Sequence, residues 1–260
     1  MGSVHVNGLE MHYHEAGEGA PLLLVHAFPL GGAMWQPQLD ALSGLGHVIA
    51  PDLRGFGQTP LGETPAALEQ YADDLAALLD ELDIAQTALG GLSMGGYIAF
   101  AFLRKYRARV TALLLADTRA GPDSEEGRQG RERNAQLAER EGAGPIAEQM
   151  LPRLLAPHAP EELREHVRSI ITVNQGAGIA AALRAMAARP DSSLLLPTID
   201  IPTLVLVGAE DALTPPEEAR DIHASIANSR LVEIPAAAHL SNLERPDAFN
   251  AAVREWMAQL

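Results

Sequence analysis

Cysteine is absent from this 260-residue chain. That absence excludes disulfides, thiolate metal sites and a cysteine nucleophile, and it is compatible with a reducing compartment. Basic residues are few: 19 Lys and Arg stand against 34 Asp and Glu, a formal charge of -15. Phosphate binding needs a basic face that displaces counterions, so this balance argues against nucleic acid or an anionic membrane as a main partner. The arginines gathered in mid-chain, Arg128, Arg131, Arg133 and Arg140, alternate with glutamates and read as a solvated helix face. No uninterrupted apolar segment approaches the roughly 20 residues of a membrane span. The segment Met1 to Gly8 also lacks a basic stretch followed by an apolar core. The expectation is a soluble, cytoplasmic protein.

What the chain does have is apolar residues, 47% of the total, enough for one large α/β core. Two alternating segments flank Asn7-Gly8, the turn pair of an antiparallel hairpin. Continuous apolar runs follow at Leu22 to Val25, Val48 to Ala50, Val110 to Ala116 (Thr111 apart) and Thr203 to Val207, as suits strands buried on both faces of a parallel sheet. Between the second and third, Leu68, Tyr71, Leu75, Leu78, Leu79 and Leu82 recur at helical spacing and predict a crossover helix. Strand and helix thus alternate, the pattern of a doubly wound sheet.

The alternation stops at Arg119 and resumes near Pro197. The intervening segment is charged and Ala-rich, with breaks at Gly142 to Pro145 and Pro157 to Pro160, and reads as a helical insertion. The fold expected is therefore α/β, a mostly parallel doubly wound sheet with a leading antiparallel hairpin. Its core comprises residues 1–118 and 198–260, and residues 119–197 form a helical cap over the carboxyl ends of the strands, where ligands bind in such sheets.

Gly91-Leu92-Ser93-Met94-Gly95 lies between an apolar strand and an apolar helical pattern. In that context G-x-S-x-G reads as a nucleophile elbow, a sharp strand-to-helix turn that exposes the Ser93 hydroxyl above the sheet. The glycines two positions either side let neighbouring backbone pass without a Cβ clash. A serine needs a base to take its proton and an acid to orient that base. Asp211 follows the Thr203 strand and His239 follows the strand at Leu231 to Ile234, which gives the chain order Ser, Asp, His expected of such an elbow. Glu210 and Asp117, the latter also at a strand end, remain competing acids. His239 stands out among nine histidines because it alone combines a terminal strand, a small-residue loop and the right order. Two amides are needed for the oxyanion. Met94 follows the nucleophile, and Phe28 precedes Pro29 in the loop after the Leu22 strand. His26 reads as a structural ring bonding neighbouring loops.

These residues, with Asp52-Leu-Arg-Gly-Phe-Gly57 and His239-Leu-Ser-Asn-Leu-Glu244, carry a resemblance to the α/β-hydrolase superfamily over essentially the full length. Within it the Ser-Met-Gly-Gly elbow and Phe-Pro loop look like those of small serine esterases related to 3-oxoadipate enol-lactonases and the cofactor-free haloperoxidases or perhydrolases. The resemblance implies Ser93 as nucleophile, His239 as base, Asp211 as orienting acid, and Phe28 with Met94 as oxyanion donors. Asp52 and Arg54 match a structural loop. Ala27 departs from the glycine common at its position, and a serine at the elbow disfavours the dehalogenases and epoxide hydrolases that carry aspartate there.

The leading expectation is hydrolysis of small-molecule carboxylic esters or lactones through an acyl-enzyme, with no metal or organic cofactor. Alternatives are cleavage of a C–C bond in a β-diketone, a perhydrolase, or a ligand receptor on the same fold. An enol-lactonase would need a group to hold a substrate carboxylate, for which Arg119 is a candidate, with a surface salt bridge as its alternative. Met150, Leu151, Leu154, Leu155, Ile179 and Met186 either wall the acyl site or form the core of the insertion.

Overall fold

The apolar runs become the centre of an eight-stranded sheet in a computed structural model that describes residues 1–63 and 67–260. The strands are β1 (Gly2–Val6), β2 (Leu9–Ala16), β3 (Pro21–Val25), β4 (His47–Pro51), β5 (Thr87–Leu92), β6 (Val110–Ala116), β7 (Thr203–Gly208) and β8 (Ser229–Ile234). Their order across the sheet is β1-β2-β4-β3-β5-β6-β7-β8. β1 and β2 form the expected hairpin, with Asn7 and Gly8 both at positive φ (46° and 80°). β2 also runs antiparallel to β4, and every later pairing is parallel.

Side chains of one strand serve opposite faces, so consecutive residues enter different cores. Leu22 and Leu24 pack with Trp35, Leu39 of α1 (Gln36–Leu42) and the carboxyl-terminal helix, while Leu23 and Val25 pack with the helices of the other face. Those helices are α2 (Leu68–Glu81), which buries Tyr71, Leu75, Leu78 and Leu79, and α3 (Met94–Tyr106). Fully burying one such leucine is worth about 1.5–3 kcal/mol, so a continuous apolar run is what a sheet covered on both sides requires. One polar tie crosses this face. Arg54 meets Asp74 of α2 in a buried two-pronged ion pair at 2.7 and 2.9 Å, in keeping with a structural role for its loop.

Four helices stand between β6 and β7: α4 (Glu125–Glu141), α5 (Ala143–Leu154), α6 (Glu161–Thr172) and α7 (Gly176–Ala187). Ser124 caps α4 by accepting from the Gly127 amide at 3.1 Å, with Glu125 and Glu126 favourably placed at the positive end of the helix. The first break is shorter than the sequence suggested. Gly142 alone separates α4 from α5, because Gly144 and Pro145 fit within the first turn of the next helix, where proline needs no amide. A further break, Val173 to Gln175, has no glycine or proline to announce it. The core then resumes with α8 (Pro216–Ser225), β8, a single turn α9 (Ser241–Glu244) and α10 (Pro246–Met257). No described helix is long and apolar enough to cross a membrane.

The chain runs from β3 outward to β4 and then crosses back to β5, so the winding direction reverses between β3 and β5. At that switch point Val25 pairs with Gly91, which sets the loop after β3 beside the turn after β5. A crevice at the carboxyl ends of the strands follows from this topology.

Candidate active site

Ser93 occupies the turn between β5 and α3 with φ 54° and ψ -111°, a region a side chain adopts only under strain of about 1–3 kcal/mol. Its surroundings enforce the geometry. The Ser93 amide donates to Ala116 O at 2.9 Å, and its carbonyl accepts from the Gly96 amide at 2.9 Å and the Thr118 hydroxyl at 2.8 Å. A Cβ at Gly91 would meet the Gly95 carbonyl, and one at Gly95 would meet the Val25 carbonyl, so both motif glycines are required by close backbone approach.

Asp211 and His239 come together although 28 residues separate them, with Nδ1 of His239 at 2.8 Å from Oδ2 of Asp211. The carboxylate also accepts from the Leu213 amide (2.8 Å), the Thr214 amide (3.0 Å) and the Thr214 hydroxyl (2.6 Å). Burial pushes the Asp211 carboxyl up, but the His239 ring and the Thr214 donors outweigh it and hold the group below the usual carboxylate range. An ionised Asp211 accepts a hydrogen bond from the protonated Nδ1, which leaves the lone pair on Nε2. Thr214 is not among the residues that the sequence singles out. Its place three residues after an acid is the signal that could have found it, because short Asp side chains accept from amides two and three positions on.

Ser93, His239, Thr214 and Phe28 line one cavity of about 310 Å³. Phe28 sits in the turn after β3, and its amide donates to no acceptor among the described residues. The Met94 amide opens α3, where a first-turn N–H has no intrahelical partner. Helices α4, α5 and α7 supply most of the remaining wall, with Arg119 and Asp123 from the segment before α4. Ile146, Met150, Leu183 and Met186 form an apolar side, and Arg119, Arg131, Arg153 and Asp123 a charged one. Of the apolar residues singled out in the sequence, Met150 and Met186 face the cavity, whereas Leu151, Leu154, Leu155 and Ile179 are buried in core clusters.

The competing acids lie elsewhere. Glu210 faces His158 at 3.7 Å. Asp117 is buried at the end of β6, where Oδ1 accepts from the Gly208 amide at 2.8 Å and Oδ2 shares a 2.5 Å hydrogen bond with the Ser241 hydroxyl. Burial and the neighbouring Asp211 push its carboxyl well above the usual range. His26 bonds two loops, with Nε2 accepting from the Leu53 amide at 3.1 Å and Nδ1 donating to Ala27 O at 2.9 Å. Burial lowers its pKa to about 4 and keeps the ring neutral. Ala27 fits without exposure, its amide directed at Met34 Sδ at 3.2 Å. Arg119 lines the cavity and also bonds the Leu213 carbonyl, with Glu218 at 3.7 Å.

Residues 20–246 match the family described as alpha/beta hydrolase fold. The chain belongs to that family. It is 32% identical over 254 residues to 3-oxoadipate enol-lactonase 2 of Acinetobacter baylyi, spanning 95% of this chain and 92% of the relative. Among solved structures, a thermophilic esterase from Thermogutta terrifontis superposes with a TM-score of 0.94 at 46% identity, covering 99% of this chain and 96% of that one. The enol-lactonase of Burkholderia xenovorans LB400 superposes with a TM-score of 0.91 at 31% identity, covering 99% and 100%. The α/β-hydrolase fold, with its mostly parallel sheet and leading antiparallel pair, is thus shared over nearly the whole length of these esterase and enol-lactonase neighbours.

Proposed function

We propose that this α/β-hydrolase cleaves carboxylic esters or lactones of small molecules through a Ser93 acyl-enzyme. The observation that carries the reading is the buried Asp211–His239 pair, 2.8 Å apart and opening on the same cavity as a serine held at positive φ. Ser93 Oγ attacks the substrate carbonyl while Nε2 of His239 takes its proton, and Asp211 stabilises the imidazolium that forms. The charge on the carbonyl oxygen is met by the amides of Phe28 and Met94. Collapse of the tetrahedral intermediate expels the alcohol, which receives its proton from His239. Water, deprotonated by the same ring, then attacks the acyl-enzyme and releases the acid. The helices from α4 to α7 serve as the cap, shaping the acyl site with Ile146, Met150, Leu183 and Met186. No metal or organic cofactor enters any step.

The test is hydrolysis of p-nitrophenyl esters of graded acyl length by the wild type and Ser93→Ala. Saturable turnover should fall on the order of 10⁶ in kcat on losing the hydroxyl. Turnover unchanged by the substitution would sink the assignment of Ser93.

One observation favours a narrower second reading, a substrate bearing a carboxylate beyond the scissile bond. Within a protein of charge -15, three arginines and one aspartate line this cavity, and Arg153 meets no acceptor among the described residues. The Acinetobacter and Burkholderia relatives are named for lactones, the former derived from a dicarboxylic acid. Comparing a succinate monoester with a butyrate ester of the same alcohol, Arg153→Ala should raise KM for the anionic ester about tenfold, a charged hydrogen bond's worth, and spare the neutral one. Equal effects on both would remove Arg153 from recognition.

A further inference from the structure

The loop that carries Phe28 is held at three points, and only one of them lies outside the sheet core. At its start His26 accepts from the Leu53 amide, and at its end the Gly32 amide donates to Asp52 Oδ1 at 2.8 Å. Asp52 Oδ2 accepts in turn from the Gln58 amide at 2.9 Å, so residues 52–58 act as a cradle for both ends. The middle is held by Asn174, a buried residue in the break between α6 and α7. Its Nδ2 donates to Pro29 O at 2.7 Å, to Ile170 O at 3.2 Å and, at the limit of a hydrogen bond, to Leu30 O at 3.4 Å. Its Oδ1 accepts from the Gly57 amide at 2.7 Å, which fixes the orientation of the amide group.

We propose that Asn174 is a positioning residue for the oxyanion hole, through which the docked helical segment sets the place of the Phe28 amide. The inference rests on the serine-hydrolase reading given above. Pro29 and Leu30 directly follow Phe28, and the turn is closed by the Leu30 amide donating to Ala27 O at 2.9 Å. Gripping the two carbonyls on the far side of that turn fixes the peptide plane from which the Phe28 N–H projects. Without the donor, Pro29 O is left in a buried place with no partner, and the turn gains a reason to rotate. Docking of the helical segment does not itself need this contact. Gly178 of α7 packs directly on Gly55, the Leu240 amide donates to Leu154 O at 3.1 Å, and the Glu244 carboxylate accepts from the Ala156 amide at 2.8 Å. Asn174 thus supplies something those contacts do not, a bond to the loop rather than to the core. Oxyanion donors act only when aimed at the charge of the transition state, so a small displacement costs rate and leaves ground-state binding alone.

The test compares Asn174→Ala and Asn174→Asp with the wild type on a saturable ester. Asn174→Asp keeps an acceptor for Gly57 and loses the donors to Pro29 O and Leu30 O in the loop, together with the bond to Ile170 O in α6. Both variants should lose about 10- to 100-fold in kcat, the cost of a misplaced catalytic group. KM should stay within about twofold. A trifluoromethyl ketone provides the second readout. Ser93 Oγ adds to its carbonyl carbon, the proton passes to His239, and the oxygen becomes an anion in the hole. Its inhibition constant should weaken by the same factor as kcat/KM. Binding of the intact ester to Ser93→Ala should not change on adding either substitution. Arg184→Ala, which removes the exposed bonds from α7 to Glu132 and Glu139 of α4, controls for loosening of the helices and should lower Tm with unchanged kcat. The proposal is overturned if Asn174→Asp keeps full kcat and ketone affinity, or if the whole loss appears in KM. Should Ser93→Ala retain activity, the parent reading fails instead, whatever Asn174 does.

Discussion

The ends of β6 and β7 each carry a buried carboxyl, and the protein puts the two in opposite states. Asp117 is fully buried and receives one amide and one hydroxyl, from Gly208 and Ser241. Asp211 is 3% exposed and receives two amides, a hydroxyl and the His239 ring. Desolvation opposes ionisation of both, so the number of donors and the presence of a titratable ring decide between them. Asp211 is held below the ordinary carboxylate range and Asp117 far above it. Two anions side by side without water would repel strongly, so ionising one keeps its neighbour protonated. A strand-end aspartate is therefore not an orienting acid by position alone. Asp117 instead ties the amide of Gly208, the last residue of β7, to Ser241 at the start of α9, two residues past His239.

The comparison breaks most visibly in rate. Asp211→Asn leaves the shape intact and gives His239 the wrong tautomer, which should cost about 10⁴ in kcat. Asp117→Asn keeps the acceptor for the Gly208 amide and, once the Ser241 hydroxyl turns to accept from Nδ2 instead of donating to Oδ2, keeps the second bond, so it should stay within about threefold of the wild type. Steady-state kinetics on one ester decides the matter. A loss of similar size in both variants would mean that the two acids share the work, contrary to the geometry.

The same contrast explains what could be read from the sequence. Ser93, Asp211 and His239 are legible because each sits just beyond a strand whose apolar run is visible, and because the order of strands fixes that all three loops share one edge. The hairpin, the sheet and α2 follow from periods of two and 3.6 residues, which are local properties. By contrast, the seven residues of α1 offer too short a period to announce a helix. Asn174 and Pro29 lie 145 residues apart, and no spacing rule connects them. Thr214 and Asp117 stand in plain turn and strand-end positions, and their roles arise from what the fold brings against them. The alanine and charge of the inserted segment mark it as helical, but which of its apolar residues face the cavity depends on how α4, α5 and α7 meet.

The smaller and more diagnostic effect lies in stability against pH. Asp211, depressed on folding, contributes stability that is present above the unfolded carboxylate pKa and lost as pH falls through its folded value. Asp117, raised on folding, does the reverse. Its contribution is complete below the unfolded pKa and is lost as pH rises from there toward its folded value, because the unfolded chain releases a proton that the folded chain retains. Within that window the wild type should lose about 1.4 kcal/mol per pH unit from this one group. Asp117→Asn has no proton to retain, so its stability relative to the wild type should climb from about pH 4 upward and then level off. Urea unfolding of the two proteins at half-unit steps of pH measures the difference directly, and groups common to both cancel. A difference that stays flat across the range would mean that Asp117 is ionised in the folded protein, and the contrast with Asp211 would have to be sought in geometry alone.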